Sequence, residues 1–152
     1  MRKIFFIMMA ISFSFLIQAQ DSTSFNFSFN HVALSVKNVD QSSNFYKNVL
    51  GLQEIINRSK MDGIRWFSLG EGKELHLISI IKEPVTVNLA VHLALTTSKF
   101  DGFVSKLDKL KITFNDSKGN LNKVNIRADG INQIYFQDPD GYWMEVNSVA
   151  QK

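Results

Sequence analysis

Hydrophobic and polar positions repeat one order of elements twice between residues 29 and 149. From Phe29, apolar and polar residues alternate, which predicts a strand with His31 on its Ala/Ser face, opposite valines and a leucine. Asp40 offers an N-cap for an amphipathic helix that continues to about Val49. Three strands are then predicted at residues 53–57, 64–69 and 74–81, separated by glycine-containing turns.

The second half starts at residue 88 and repeats this order. His92-Leu93-Ala94-Leu95 resembles His31-Val32-Ala33-Leu34, and Asp101 follows His92 at the same spacing as Asp40 follows His31. An amphipathic helix and strands at 124–128, 131–137 and 142–147 complete this half. Neither half is long enough to close a core alone. We therefore expect an α+β fold with one domain, residues 29–149, made of βαβββ modules at 29–81 and 88–149.

The first residues have the pattern of a secretory signal peptide. Arg2 and Lys3 precede an apolar run from Ile4 to Ile17, which is short for a membrane span. We expect a signal peptide at 1–20, a tether at 21–28, and a secreted or periplasmic chain with no stable membrane anchor after cleavage. An uncleaved N-terminal anchor is the alternative.

Charge and cysteine content exclude several functions. Without Arg2 and Lys3 the chain has 15 basic against 14 acidic residues and no basic run, so no nucleic-acid partner is expected. The sequence contains no cysteine, which excludes a disulfide, a thiol nucleophile and a lipid-modified cysteine.

Glu145 is a carboxylate in a short, mostly apolar strand, where an unpaired charge is costly. The three histidines of the chain, His31, His76 and His92, also lie in apolar strands. The repeat matches His31 with His92, and His76 with Glu145. Imidazole and carboxylate together suit one divalent ion, namely Zn, Ni, Fe, Co or Mn. The alternative is that each histidine is a polar residue at a strand edge, satisfied by a hydrogen bond or water.

Other residues are weaker candidates. Arg65 and Arg127 lie on strands near turns and would bind a carboxylate or phosphate of a substrate, although a strand arginine is more often solvated. Aromatic strand residues line a pocket or belong to the core; these are Trp66, Tyr135 and Trp143. Glu74 shares the face of His76 and is either a spare acid or a surface charge.

Several motifs resemble the vicinal oxygen chelate superfamily, which includes glyoxalase I, bleomycin-resistance proteins and extradiol dioxygenases. They are Phe29-Asn30-His31-Val32-Ala33-Leu34-Ser35-Val36, Phe45-Tyr46, Val49-Leu50-Gly51-Leu52, His92-Leu93-Ala94-Leu95, and Asp138-Pro139-Asp140-Gly141-Tyr142 running into Glu145. The resemblance implies sheets that form a cupped cleft, a divalent metal held by His31, His76, His92 and Glu145, and a small-molecule substrate. It also implies a homodimer whose clefts combine a module from each chain.

The resemblance further implies an enzyme. Four protein ligands leave about two positions on an octahedral ion, which suits a bidentate, oxygen-chelating substrate stabilised as an enediolate or enolate by Lewis-acid catalysis. The reaction would be of the isomerase or lyase type, as in glyoxalase I, with Glu145 as catalytic base. His76 departs from the Glu or Gln that glyoxalase I and methylmalonyl-CoA epimerase often carry in that slot. The alternatives are an iron-dependent extradiol-type dioxygenase and a non-catalytic binding protein of the bleomycin-resistance type.

Overall fold

The computed structural model describes residues 25–149. The expected signal peptide at 1–20 and the first part of the expected tether lie outside the described residues. From Phe25 to Asn30 the chain has no regular secondary structure, and the first strand begins at His31. Within the described range, no helix is long and apolar enough to cross a lipid bilayer.

Two successive groups of elements have the predicted strand, helix, strand, strand, strand order. The first module contains β1 (His31–Ser35), α1 (Val39–Asn48), β2 (Glu54–Ile55), β3 (Ile64–Gly70) and β4 (Lys73–Ile78). The second contains β5 (His92–Thr97), α2 (Phe100–Leu110), β6 (Asn125–Ile126), β7 (Asn132–Gln137) and β8 (Trp143–Ser148). The predicted α+β fold with two βαβββ modules is therefore confirmed.

Each module forms one four-stranded mixed sheet, and the two sheets have the same topology. Their strand orders are β1-β4-β3-β2 and β5-β8-β7-β6. The first strand of each module pairs in parallel with the last, and the remaining pairs are antiparallel. Ala33 pairs with His76 as Ala94 pairs with Glu145. The internal repeat of the sequence is thus also present in the strand register of the two sheets.

Alternation along the strands separates two faces of each sheet. On β4, Leu75 and Leu77 are fully buried, and on β8 Met144 and Val146 are buried in the same way. These side chains belong to one hydrophobic core with helix residues of both modules, such as Tyr46 and Leu107. We call this side of each sheet the helix face. The opposite side, which carries His31, His76, His92 and Glu145, is called the open face.

The ends of several elements differ from the prediction. The N-cap of α1 is Asn38, not Asp40, because the Asn38 side chain accepts hydrogen bonds from the backbone N–H groups of Asp40 and Gln41. Helix α2 begins at Phe100 without a side-chain cap. Strands β2 and β6 have only two residues each, and β4 ends at Ile78, where its pairing with β1 stops. A polar–apolar pattern does not show where a neighbouring strand ends its ladder.

Hydrogen bonds from the Asp138–Tyr142 turn connect the second module to the first. The Tyr46 hydroxyl donates to Asp138 Oδ2 at 2.8 Å, and Ser42 donates to Asp140 Oδ2 at 2.6 Å. The Tyr142 hydroxyl donates to the backbone carbonyl of Ser35 at 2.9 Å. Burial raises the pKa of Asp138 although Tyr46 and backbone N–H groups donate to its carboxylate. The turn therefore joins the modules through buried polar contacts, not through the sheets.

Tyr46→Phe should destabilise the fold by about 1–3 kcal/mol, because the buried Asp138 carboxylate loses a hydrogen-bond donor. Urea unfolding followed by circular dichroism measures this difference. Ser117→Ala, which removes an exposed loop hydroxyl, is the control and should change stability by less than about 0.5 kcal/mol. Equal unfolding midpoints for wild type and Tyr46→Phe would show that this hydrogen bond does not hold the modules together.

Candidate metal centre

The sheet register places all four predicted ligands on the open face. His31 and His92 are the first residues of β1 and β5, and both are exposed together with Ala33 and Ala94. Small alanine side chains beside the histidines leave this face uncovered. His76 is half-buried on β4, whereas Glu145 on β8 is only 5% exposed. The four residues form two pairs, one in each sheet.

The first half-site consists of His31 and His76 with three neighbours. The His76 imidazole lies between the Trp66 indole, with centroids 4.0 Å apart, and the His31 imidazole, at 4.3 Å. His76 Nε2 is 2.8 Å from Glu74 Oε2, and the Arg58 guanidinium donates to Glu74 Oε1 at 2.6 Å. The Arg58 guanidinium also lies 4.8 Å from the centroid of the Trp66 ring. These contacts hold His76 on two faces and along one edge.

The second half-site consists of His92 and Glu145. His92 Nε2 is 3.1 Å from Glu145 Oε2. His92 Nδ1 is 2.8 Å from the carbonyl oxygen of Leu89, which only accepts hydrogen bonds, so Nδ1 carries the proton in this contact. The lone pair of a neutral His92 is therefore on Nε2 and faces the carboxylate. Two acceptor atoms at this distance need a cation, either a proton or a metal ion.

Several side chains hold Glu145 in its charged form. Burial alone would raise the pKa of Glu145, but hydrogen bonds from Tyr135, Asn147 and Gln133 and the proximity of His92 lower it below the ordinary value. One of these contacts joins Asn147 Nδ2 and Glu145 Oε1 at 2.6 Å. In turn, burial and the bond to Glu145 raise the pKa of Tyr135 to about 12. The carboxylate that the sequence left without a partner is thus anionic and held in place by hydrogen bonds.

The chemistry of the donor atoms fits a divalent ion. Ligands at about 2.1 Å from an ion and at right angles to each other are about 3 Å apart, and His92 Nε2 and Glu145 Oε2 have this separation. Imidazole nitrogen and carboxylate oxygen also suit the metals expected from the sequence. Even so, residues 25–149 contain no group of three or more His, Asp or Glu side chains arranged around one point. Each half-site therefore presents only part of a coordination shell.

Of the two arginines predicted to bind substrate, only Arg127 lies on the open-face side of its sheet. Arg65 pairs with Leu77 across the ladder, so it lies on the helix face, where its guanidinium forms ion pairs with Asp40 and Glu54. This placement contradicts a role for Arg65 beside His76. Arg127 is paired with Asp129 and lies close enough to Tyr135 to lower its pKa, against the larger effect of burial.

The structure adds residues that were not assigned from the sequence. Arg58 lies eight residues before Trp66, as Arg127 lies eight residues before Tyr135, so the repeat itself contained the signal for Arg58. Asn147 is 8% exposed and its Oδ1 has no hydrogen-bond partner in the described chain. Glu74 is not a surface charge, because both its oxygens are engaged. The open face also carries Trp66, Tyr135 and Trp143, because each is paired across a ladder with a predicted ligand.

The family of this chain is shown by a match to a protein-family model. The model of the glyoxalase/bleomycin resistance protein/dioxygenase superfamily matches residues 28–146, nearly the whole described chain. The chain belongs to this superfamily. The resemblance recognised from the sequence motifs is thereby confirmed.

Similar proteins in the superfamily include enzymes of different reaction types. "Glyoxylase I 4" of Arabidopsis thaliana is 26% identical over 125 residues, covering 78% of this chain and 69% of the relative. "Metallothiol transferase FosB" of Staphylococcus saprophyticus is 28% identical over 126 residues, covering 80% of this chain and 76% of the relative. The second name states a metal and a transfer reaction for that protein.

Solved structures show the same fold at low sequence identity. The structure named "Oxidase ChaP-H2" has a TM-score of 0.68 and 20% identity, covering 82% of this chain and 94% of the other. A glyoxalase/dioxygenase from Nostoc punctiforme has a TM-score of 0.65 and 23% identity, covering 82% and 92%. These similarities show that the chain has the fold of the superfamily.

Tyr135→Phe should raise the pKa of Glu145, because the carboxylate loses one of the hydrogen-bond donors that favour its charged form. A carboxyl group whose pKa is lower in the folded chain than in the unfolded chain stabilises the fold at pH values above its unfolded-state pKa. This contribution is lost as the pH falls through its folded-state pKa. Wild type should therefore lose more stability on acidification than Tyr135→Phe.

The Glu145 titration is measured by NMR of the side-chain carboxyl carbon. Tyr142→Phe is the matched control, because its hydroxyl bonds to Ser35 in the other module. A Glu145 titration midpoint that is the same in wild type and Tyr135→Phe would rule out the hydrogen bond as a cause of the lowered pKa.

Proposed function

We propose that this superfamily member is a metal-dependent enzyme that acts on a small, oxygen-chelating substrate by proton transfer next to a carbonyl, in an isomerase or lyase type of reaction. The observation that carries the proposal is the second half-site. There the Nε2 lone pair of His92 faces the carboxylate of Glu145 at 3.1 Å, while Leu89 accepts the Nδ1 proton. A nitrogen lone pair and a carboxylate oxygen that face each other at this distance favour a cation bound between them.

His92 and Glu145 would hold the ion together with His31 and His76. A bound divalent ion supplies Lewis-acid stabilisation of negative charge that develops on the oxygens of a substrate. Leu89 keeps His92 in the tautomer that offers Nε2. Tyr135, Asn147 and Gln133 keep Glu145 anionic and oriented. The same hydrogen bonds weaken Glu145 as a base, so its orientation as a ligand is better supported by the contacts than its role in proton abstraction.

Metal binding separates this proposal from a metal-free binding protein. His92→Ala and Glu145→Ala should each lower Zn²⁺ affinity at least about 100-fold, since loss of even an outer partner of a ligand costs about 10- to 100-fold. Isothermal titration calorimetry of the purified chain measures the affinity. Glu54→Ala is the control, because Glu54 pairs with Lys47 and Arg65 away from the open face.

The reaction is tested with the metal-loaded chain and a panel of α-hydroxycarbonyl compounds in deuterated water. Exchange of the carbon-bound proton, observed by NMR and lost in His92→Ala, would support the proposal. A wild-type chain that binds no metal would reject it in favour of a metal-free binding protein, and unchanged metal affinity in His92→Ala and Glu145→Ala would reject these residues as ligands. Iron loading with dioxygen consumption and no proton exchange would reject it in favour of a dioxygenase.

We also propose that the complete site combines the two half-sites from different chains of a homodimer. The proposal is supported by the separation of the ligands into two pairs and by the exposure of His31 and His92. Export of the chain remains a prediction from residues 1–20.

Co-expression of His76→Ala with Glu145→Ala tests this arrangement. In a mixed dimer, one cleft would pair intact His31 and His76 of one chain with intact His92 and Glu145 of the other. The mixture should therefore recover tight Zn²⁺ binding that neither variant has alone. A site formed within one chain would recover nothing on mixing, and a monomeric mass by light scattering would reject the dimer.

A further inference from the structure

Glu74 lies at the centre of the first half-site. It is the register partner of His31 across the β1–β4 ladder, and it precedes His76 by two residues on the same face of β4. Its side chain is 13% exposed, and its two oxygens contact His76 and Arg58. Glu74 is thus a second half-buried carboxylate on the open face, in addition to Glu145.

The ring planes decide which residue can share an ion with His76. The lone pair of an imidazole nitrogen lies in the plane of the ring, so an ion bound to Nε2 also lies in or near that plane. The His31 and His76 rings are stacked at an angle of only 15°, with centroids 4.3 Å apart. Two nearly parallel planes at this spacing do not meet near the nitrogens. In this arrangement His31 cannot share an ion with His76 unless one ring turns.

Glu74, unlike His31, lies where it can share an ion with His76. Its Oε2 is 2.8 Å from His76 Nε2, the separation expected, at about 3 Å, for two ligands at right angles on one ion. The other oxygen, Oε1, is held by Arg58 at 2.6 Å. A carboxylate fixed by Arg58 through one oxygen keeps the other for the ion.

With Glu74 included, each half-site contains one imidazole Nε2 beside one carboxylate oxygen. Glu145 Oε2 lies 3.1 Å from His92 Nε2 in the second sheet, and Glu74 Oε2 lies 2.8 Å from His76 Nε2 in the first. In both sheets a further side chain binds the second carboxylate oxygen: Asn147 for Glu145, and Arg58 for Glu74. The slot of Glu74 is occupied by Trp143 in the second module, so the repeat alone does not predict this pairing.

We propose that Glu74 is a ligand of the metal ion together with His76, so that each half-site contributes one imidazole Nε2 and one carboxylate oxygen. This inference rests on the proposed function, because it assigns a further ligand to the same ion. Two carboxylates balance the charge of a divalent ion, and His31, whose contacts within residues 25–149 are with Asn30 and the stacked ring of His76, would turn toward it.

Cobalt(II) tests the assignment, because its visible absorption reports the ligands directly. The full chain is titrated with Co²⁺ as wild type, Glu74→Gln, Glu74→Ala and Glu71→Gln. Glu71 is the matched control, since it lies three residues away in the β3–β4 turn and forms its ion pair with Lys73. We expect both Glu74 variants to bind Co²⁺ at least about 100-fold more weakly, since loss of an outer partner alone costs about 10- to 100-fold, and to show a changed d–d spectrum. Circular dichroism confirms the fold of each variant.

The outcomes separate this inference from the proposed function. A wild-type chain that binds no Co²⁺ would overturn both. Wild-type binding with an unchanged affinity and spectrum in Glu74→Gln would overturn only the ligand role of Glu74. Weaker binding with an unchanged spectrum would also overturn it, because Glu74 would then act only by orienting His76. A changed spectrum in both Glu74 variants, with Glu71→Gln identical to wild type, would support it.

Discussion

The alternation of side chains across each strand is the constraint on which the rest of this molecule depends. Leu75 and Leu77 have to be buried against the helix side, and this places Glu74 and His76 on the opposite face. Met144 and Val146 act in the same way for Glu145. A shift of one residue in either ladder would bury the predicted ligands in the apolar core and expose the apolar side chains that are now buried. Core packing and site geometry are therefore determined by the same register.

The two half-sites use this common register for different chemistry. In the first, a stack of Trp66, His76 and His31 fixes the imidazole by its faces, and Glu74 engages its edge. In the second, His92 is fixed through its Nδ1 proton, and a buried carboxylate receives several hydrogen bonds. The two modules thus hold a histidine and a carboxylate on the same face by different contacts.

The connection between the two modules leaves their open faces uncovered. The Asp138–Tyr142 turn contacts Tyr46, Ser42 and Ser35, and aromatic residues from α1, α2 and β7 pack together in the shared core. These contacts join the modules on their helix sides. Their open faces consequently remain exposed, with Ala33 and Ala94 uncovered. The homodimer proposed above would bring the open faces of two chains together.

The sequence by itself determined the repeat, the α+β fold and the face on which His31, His76, His92 and Glu145 lie, because periodicity and matched spacing are local properties of the chain. Only the tertiary structure decided the N-cap at Asn38, the short edge strands and the helix-face position of Arg65, since these depend on where a neighbouring strand ends or which carboxylate it meets. The engagement of Glu74 by His76 and Arg58 likewise required the folded β3–β4 ladder and the β2–β3 connection. Spacing shows which residues share a face, whereas the distance between two side chains on that face is set by packing around them.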